Sequence, residues 1–247
     1  MKQLILHIPH SSTHIPFNDG YVVTEEFLES ELLKLTDWYT DDLFNSEQEI
    51  TVTADFSRIF CDPERFPDDA QEIMSKWGMG VLYEKSDNGT LLRTISPVLR
   101  ERILSEYYWP HHKKLNDAVN IQLSQFAQAT IIDCHSFPNI PLERSLNKDP
   151  ERPDFNIGTD LFHTPQILID ISVDFFKSAG YSLGINKPYS GSIVPLTYYK
   201  KNRNVQTIML EINRRLYLKE QSNEKSDRYP EIKSLTKAFI NAIRRQL

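Results

Sequence analysis

Thr130-Ile131-Ile132-Asp133-Cys134-His135-Ser136 is an apolar, β-branched run that ends in polar residues. Such a run reads as a short buried strand. Asp133 and His135 stand two apart at its end, so their side chains point the same way and Cys134 points the other way. Cys134 therefore reads as core rather than as a nucleophile. Two other segments share this design. Gln3 to Ile8 is apolar and stops at Pro9, delivering the loop Pro9-His10-Ser11-Ser12; Val205 to Ile212 is apolar and ends at Glu211-Ile212-Asn213-Arg214. Ile50 to Ala54, alternating and β-branched, reads as a further strand. Helical patterns lie between the strands: Thr24 to Leu43, with Glu25 and Glu26 suiting a helix start; Ser96 to Phe126, broken near Pro110; Pro165 to Ala179, with Gly180 as its stop; and Ser234 to Arg245. Strands alternating with helices predict an α/β fold, a single domain over residues 1–247 around a mostly parallel mixed sheet flanked by helices. Ligands of open α/β sheets bind beyond the carboxyl ends of the strands, so the three polar tails are expected to converge there.

Composition narrows the function. The 247 residues are 40% hydrophobic and 25% charged, ordinary for a globular chain with a sizeable core. A net charge of -6 argues against a nucleic-acid partner, which favours a basic stripe, but leaves room for a basic pocket and an acidic small molecule. The apolar run at the N-terminus is too short for a signal peptide, and no stretch approaches the ~20 apolar residues of a membrane span. Two cysteines, Cys61 and Cys134, are too few for a disulfide framework. A cytoplasmic location is expected; the oligomeric state is not readable.

The candidate chemistry lies in histidines and carboxylates. No Gly-rich phosphate loop, GxSxG elbow, CxxC pair or HExxH motif is present, which leaves a metal-assisted attack by water favoured over a nucleophilic side chain. His10 follows a strand, although a lone loop histidine is more often solvated. His7, inside the strand, is expected to pack or hydrogen-bond there. Asp133 suits a carboxylate that orients a neighbouring histidine. Asp37 and Asp41, four apart, would share a face of the Thr24–Leu43 helix, either opposite a cation or as an ordinary acidic face. Glu211 ends an apolar strand, where it would be a general base or the partner of Arg214 or Arg215. Arg58 and Arg65 flank Asp62 and could either bind an acidic substrate or form an ion-pair network. Tyr189 and Gly191 sit in a Pro/Gly-marked loop that could form a pocket wall.

Taken in order, Ile8-Pro9-His10-Ser11-Ser12, Thr36-Asp37-Trp38-Tyr39-Thr40-Asp41-Asp42-Leu43, Phe56-Ser57-Arg58 through Arg65, Asp133-Cys134-His135-Ser136, Pro188-Tyr189-Ser190-Gly191-Ser192 and Leu210-Glu211-Ile212-Asn213-Arg214 resemble the N-formylglutamate amidohydrolase family. The resemblance implies a zinc-carboxypeptidase-like (phosphorylase/hydrolase-like) fold and hydrolysis of N-formyl-L-glutamate to formate and glutamate. It implies Zn2+ or another divalent metal on His10, His135 and Asp37, with Asp41 the less favoured third ligand. It also implies that Glu211 is the general base, that Arg58 and Arg65 bind substrate carboxylates, and that Asn213 orients the substrate or Glu211. Ser12, the Cys61–Arg65 run and Ser192 depart from the family's usual residues within the substrate-contacting segments. Other readings are a related metal-dependent deacylase acting on another N-acyl amino acid or peptide-like amide, a non-catalytic protein that binds small acidic metabolites, and a structural protein.

Overall fold

The computed structural model describes residues 2–246. The apolar runs form the strands β1 (Ile5–Ile8), β2 (Ile50–Thr53), β3 (Ala129–Phe137) and β6 (Val205–Asn213), joined by β4 (Phe155–Gly158) and β5 (Leu183–Ile185). They make one six-stranded sheet in the order β2-β1-β3-β6-β4-β5. The pairings of β1 with β2, β1 with β3, β3 with β6 and β4 with β5 are parallel, whereas β4 runs antiparallel to β6. The expected mostly parallel mixed sheet is what forms. All nine residues of β3 are buried, as befits a central strand covered on both faces. β4 and β5 add to the expected strands; at four and three residues they are too short to carry a readable period in the sequence.

The side-chain alternation of the strands assigns the two faces. Leu6, Ile8, Ile132, Cys134, Leu210 and Ile212 pack with Phe176 of α5 (Gln166–Ser178) and Phe239 of α6 (Tyr229–Arg244). Ile5, Ile131 and Val205 face the other way, toward Leu115 and Val119 of α4 (Trp109–Phe126). His7, Asp133, His135 and Glu211 have the parity of this second face. Parallel register sets His7 beside Asp133 and His135 beside Glu211. Cys134 lies in the opposite core, fully buried.

The helices depart from expectation at two places. Thr24–Leu43 is two helices, α1 (Glu25–Leu35) and α2 (Thr40–Leu43). Thr24 caps α1 by accepting the Phe27 N–H, and Thr36 turns to extended backbone at its end. Tyr39 then adopts a left-handed conformation, φ 61°. Asp37 therefore sits in the link and not on a helix face with Asp41. The Ser96–Phe126 region is α3 (Pro97–Ile103), a π-helical stretch over Leu104–Tyr108, and α4, without a break. Pro110 follows the π-helical stretch directly, so the residue with no N–H to give stands where the helix has just been widened, and the helix runs on through it. Helix α6 begins at Tyr229, five residues before the expected Ser234. No helix of the described residues is long and apolar enough to cross a membrane.

Candidate functional site

The carboxyl ends of β1, β3 and β6 open into a cavity of about 760 Å³, roofed by residues from the long connection between β2 and α3. His10, Asp37, His135 and Glu211 line it together with Arg58, Arg65, Tyr189 and Gly191. Asp37 is brought there by the link between α1 and α2, its N–H donating at 2.9 Å to the carbonyl of His10 in the loop after β1.

Three donor atoms converge. His10 Nδ1 lies 3.2 Å from His135 Nδ1, and Asp37 Oδ2 is 3.6 Å from the first and 3.1 Å from the second. The far side of each ring is committed to a carboxylate. His10 Nε2 donates to Asp62 Oδ1 at 2.8 Å, and His135 Nε2 donates to Asp133 Oδ1 at 3.1 Å. These bonds fix the tautomers and leave both Nδ1 atoms for the shared point. A carboxylate behind each ligating histidine is the usual support of a metal-binding imidazole. Two imidazole nitrogens and one carboxylate oxygen suit zinc with a coordination position left open. The residues present therefore fit a divalent metal.

Electrostatics favours charged groups here despite burial. Burial acts against ionisation of Asp37, but His10, His135 and Arg214 hold its carboxyl well below the usual range. Burial would depress His135, yet Asp133 and Asp37 raise it well above an ordinary imidazole. Without a cation the cluster holds a proton at that point, and a metal would displace it. Arg214 donates from Nη2 to Asp37 Oδ1 at 2.9 Å, and Ser136 N–H donates to Asp37 Oδ2 at 3.3 Å.

Glu211 behaves differently. Its Oε2 is buried and has no hydrogen-bond partner among the described residues. Burial pushes its carboxyl up to about 8, with Asp37 adding to the rise against the opposing pull of His135. Arg214 and Arg215, the alternative partners, are engaged elsewhere, on Asp37 and Asp154.

The wall opposite is pinned by buried polar groups. Asp133 Oδ2 accepts the Ile193 N–H at 2.9 Å, and Asn156 Nδ2 donates to the Tyr189 carbonyl at 2.9 Å. Gly191, at φ 90°, faces open space where a Cβ would meet nothing within 4 Å. Asn213 is not brought into the cavity. It caps the short helical turn after β6 by accepting the Arg215 N–H, and its amide donates to Asn139 Oδ1 and the Pro153 carbonyl. Two residues on from Glu211, it would share that residue's side of the strand, but the strand ends there and the side chain is spent on the turn. Asp41 is exposed and absent from the cluster, while Asp42 bonds the Tyr229 hydroxyl at 2.7 Å.

Several participants had no clear signal in the sequence. Asp62 accepts from His10, from Tyr83 at 2.8 Å and from Arg58 at 3.0 Å. Behind Asp133, His7 Nδ1 lies 2.9 Å from Asp133 Oδ1 and 3.0 Å from Glu64 Oε1, and His7 Nε2 is 2.9 Å from His111 Nε2. A carboxylate flanked by arginines at close spacing was the one available hint, for Asp62.

A sequence profile of N-formylglutamate amidohydrolase matches residues 2–218. The chain is 26% identical over 230 residues to N-formylglutamate deformylase of Pseudomonas aeruginosa, covering 89% of this chain and 83% of that one. Its fold matches the crystal structure of N-formylglutamate amidohydrolase from Ralstonia eutropha JMP134 with a TM-score of 0.84 and 25% identity, over 99% of this chain and 95% of that one. A gene product of Agrobacterium tumefaciens shares the fold at a TM-score of 0.69 and 16% identity, over 99% of this chain and 91% of that one. With a profile match running from the first strand past the last one, the chain belongs to the N-formylglutamate amidohydrolase family.

Proposed function

We propose that the chain hydrolyses N-formyl-L-glutamate to formate and L-glutamate, with a divalent metal, zinc by preference, held by His10, Asp37 and His135. The observation that carries this reading is Glu211, an unpartnered buried carboxylate on the strand position beside His135, facing the cavity that holds the donor cluster. A metal bound there would polarise the amide carbonyl and acidify the attacking water. Glu211 Oε2 takes the proton from that water and returns it to the leaving amine nitrogen, which departs as the amino group of glutamate. Asp62 and Asp133 keep the two imidazoles in the tautomer the site needs. Arg65, whose side chain makes no hydrogen bond among the described residues and only a 3.5 Å ion pair from Nε to Asp62 and a 3.7 Å one to Glu72, binds a substrate carboxylate. Tyr189 and Gly191 form the wall against which the substrate lies. A reducing, cytoplasmic setting accords with two cysteines that are both free.

The test is metal content by elemental analysis together with formate release from N-formyl-L-glutamate. About one zinc per chain is expected, lost with activity in a His10→Ala, His135→Ala double variant. A wild-type chain that takes up no metal after incubation with zinc, or that takes it up and releases no formate, rules the proposal out.

A further inference from the structure

Four arginines line the cavity, and their guanidinium groups are committed to different degrees. Arg214 is saturated, with Nε on Ser136 Oγ, Nη1 on the Lys34 carbonyl and Nη2 on Asp37 and the Ser136 carbonyl. Arg58 gives Nε to the Tyr83 hydroxyl and Nη2 to Asp62, and its Nη1 stands 4.0 Å from Asp37. Arg65 makes only long ion pairs, 3.5 Å to Asp62 and 3.7 Å to Glu72. Arg144 donates from Nε alone, to the Asp87 carbonyl at 3.2 Å. Both of its terminal nitrogens are without a hydrogen bond among the described residues.

The place of Arg144 is nevertheless built. The Asp87 carboxylate accepts the backbone N–H groups of Glu143 and Arg144, each at 2.9 Å. Asp87 is itself held through its own N–H by Glu31 Oε2 at 2.9 Å, from a fully buried side chain on α1. The guanidinium lies 5.3 Å over the Trp77 ring. Gly89, at φ 85°, leaves room for it, since a Cβ there would come within 2.0 Å of Nη2. A cation fixed from several sides with its fork unspent is pre-organised for a carboxylate.

The substrate class proposed above carries two carboxylates, and the cavity holds two arginines whose forks are unspent. We propose that Arg144 binds the side-chain carboxylate of the N-formyl dicarboxylic amino acid, while Arg65 binds the α-carboxylate. Position decides the assignment. Arg65 shares Asp62 with His10, so it stands at the metal-ligating end, where the carboxylate on the carbon next to the amide nitrogen must lie. Arg144 comes from the connection between β3 and β4, which does not take part in the donor cluster. The inference rests on the N-formylglutamate reading and adds to it the group that distinguishes glutamate from its neutral analogues.

The experiment compares kcat/KM on N-formyl-L-glutamate and N-formyl-L-glutamine for the zinc-loaded wild type, Arg144→Gln and Arg144→Lys. Arg144→Gln should lose about tenfold to a hundredfold on the glutamate substrate, chiefly in KM, and about threefold or less on the glutamine substrate. The preference for the dicarboxylate then collapses. Arg144→Lys keeps the charge without the fork and should fall between the two. The glutamine substrate also reports on folding, since a misfolded variant loses both activities. Equal losses on both substrates by a variant whose circular dichroism and urea midpoint match the wild type, or a preference unchanged from wild type, overturn the assignment of Arg144. A wild type inactive on N-formyl-L-glutamate instead overturns the parent reading, and the two failures are thus told apart.

Discussion

Glu211 and Asp37 lie in one cavity with opposite titration behaviour, and the reason is what each one touches. Asp37 accepts from Arg214 and Ser136 and contacts both imidazoles, so its charge is stabilised several times over. Glu211 Oε2 accepts from nothing among the described residues, so burial decides and its carboxyl is pushed up to about 8. A group poised near neutrality beside a ligand cluster is suited to moving a proton in both directions. Replacing Glu211 with Gln should therefore lower kcat by about 10²–10⁴-fold while zinc content stays at the wild-type value. Near-normal turnover by the variant, measured as formate released at saturating substrate, would remove Glu211 from the mechanism. Glu211 was legible in the sequence because a carboxylate ending an apolar strand needs an explanation. Asn213 shows the limit of that logic. Strand period extends only as far as the strand, and a side chain at its last position can turn back to cap the next element.

At the scale of elements, the site is carried on one face of the sheet and an aromatic cluster lies on the other. Phe176 of α5 is fully buried, with its ring 4.2 Å from Phe155 of β4 and 5.1 Å from Phe239 of α6. Phe176→Ala should reduce stability by about 3–5 kcal/mol, read as a shift of the urea midpoint. Because α5 packs on the face away from His135 and Glu211, the folded variant should take up zinc to the same extent as the wild type. Loss of metal at denaturant concentrations where the fold persists would show that the two faces are not independent. The central strands and the site's position at their carboxyl ends were legible from apolar runs that stop at polar residues. The split of Thr24–Leu43 into two helices was not, because Thr36 and Tyr39 fit a helical pattern in sequence and leave it only through their backbone conformation. The roof over the cavity was equally hidden. Asp62, Glu64 and Tyr83 are positioned by contacts to His10, His7 and one another, across sequence separations that no local period encodes.

Across the whole molecule, an acidic chain buries a set of charges at its centre and balances them in place. His7, on the first strand, is enclosed by Asp133 from the third strand, Glu64 from the roof and His111 from α4. Burial alone would lower its pKa, but hydrogen bonds to Asp133 and Glu64 and their charge raise it to about 9, from an ordinary 6.5. His111, which faces it, is held well below the ordinary value by burial and by the charge on His7, so it is the neutral partner of the pair. A proton that the folded chain binds more tightly than the unfolded chain adds stability, in full below the unfolded pKa. That contribution fades as pH rises through the folded pKa. The metal-free protein should therefore lose stability between pH 6.5 and about 9, with a slope of up to about 1.4 kcal/mol per pH unit from this one group. Glu211, also raised, acts in the same direction over pH 4.5 to about 8. Asp37, Asp62 and Asp133, all held well below their ordinary values, have the opposite sign, and their stabilisation is lost as pH falls into the acid range. Denaturant midpoints measured with a chelator present should thus peak on the mildly acidic side of neutrality and decline toward pH 9. His135, raised well above the ordinary value, adds to the decline above pH 6.5. In His7→Gln the decline between pH 6.5 and about 9 should therefore be shallower than in the wild type, with the parts from Glu211 and His135 remaining. A His7→Gln curve that runs parallel to the wild type from pH 6.5 to about 9 would mean that His7 is neutral between its two carboxylates.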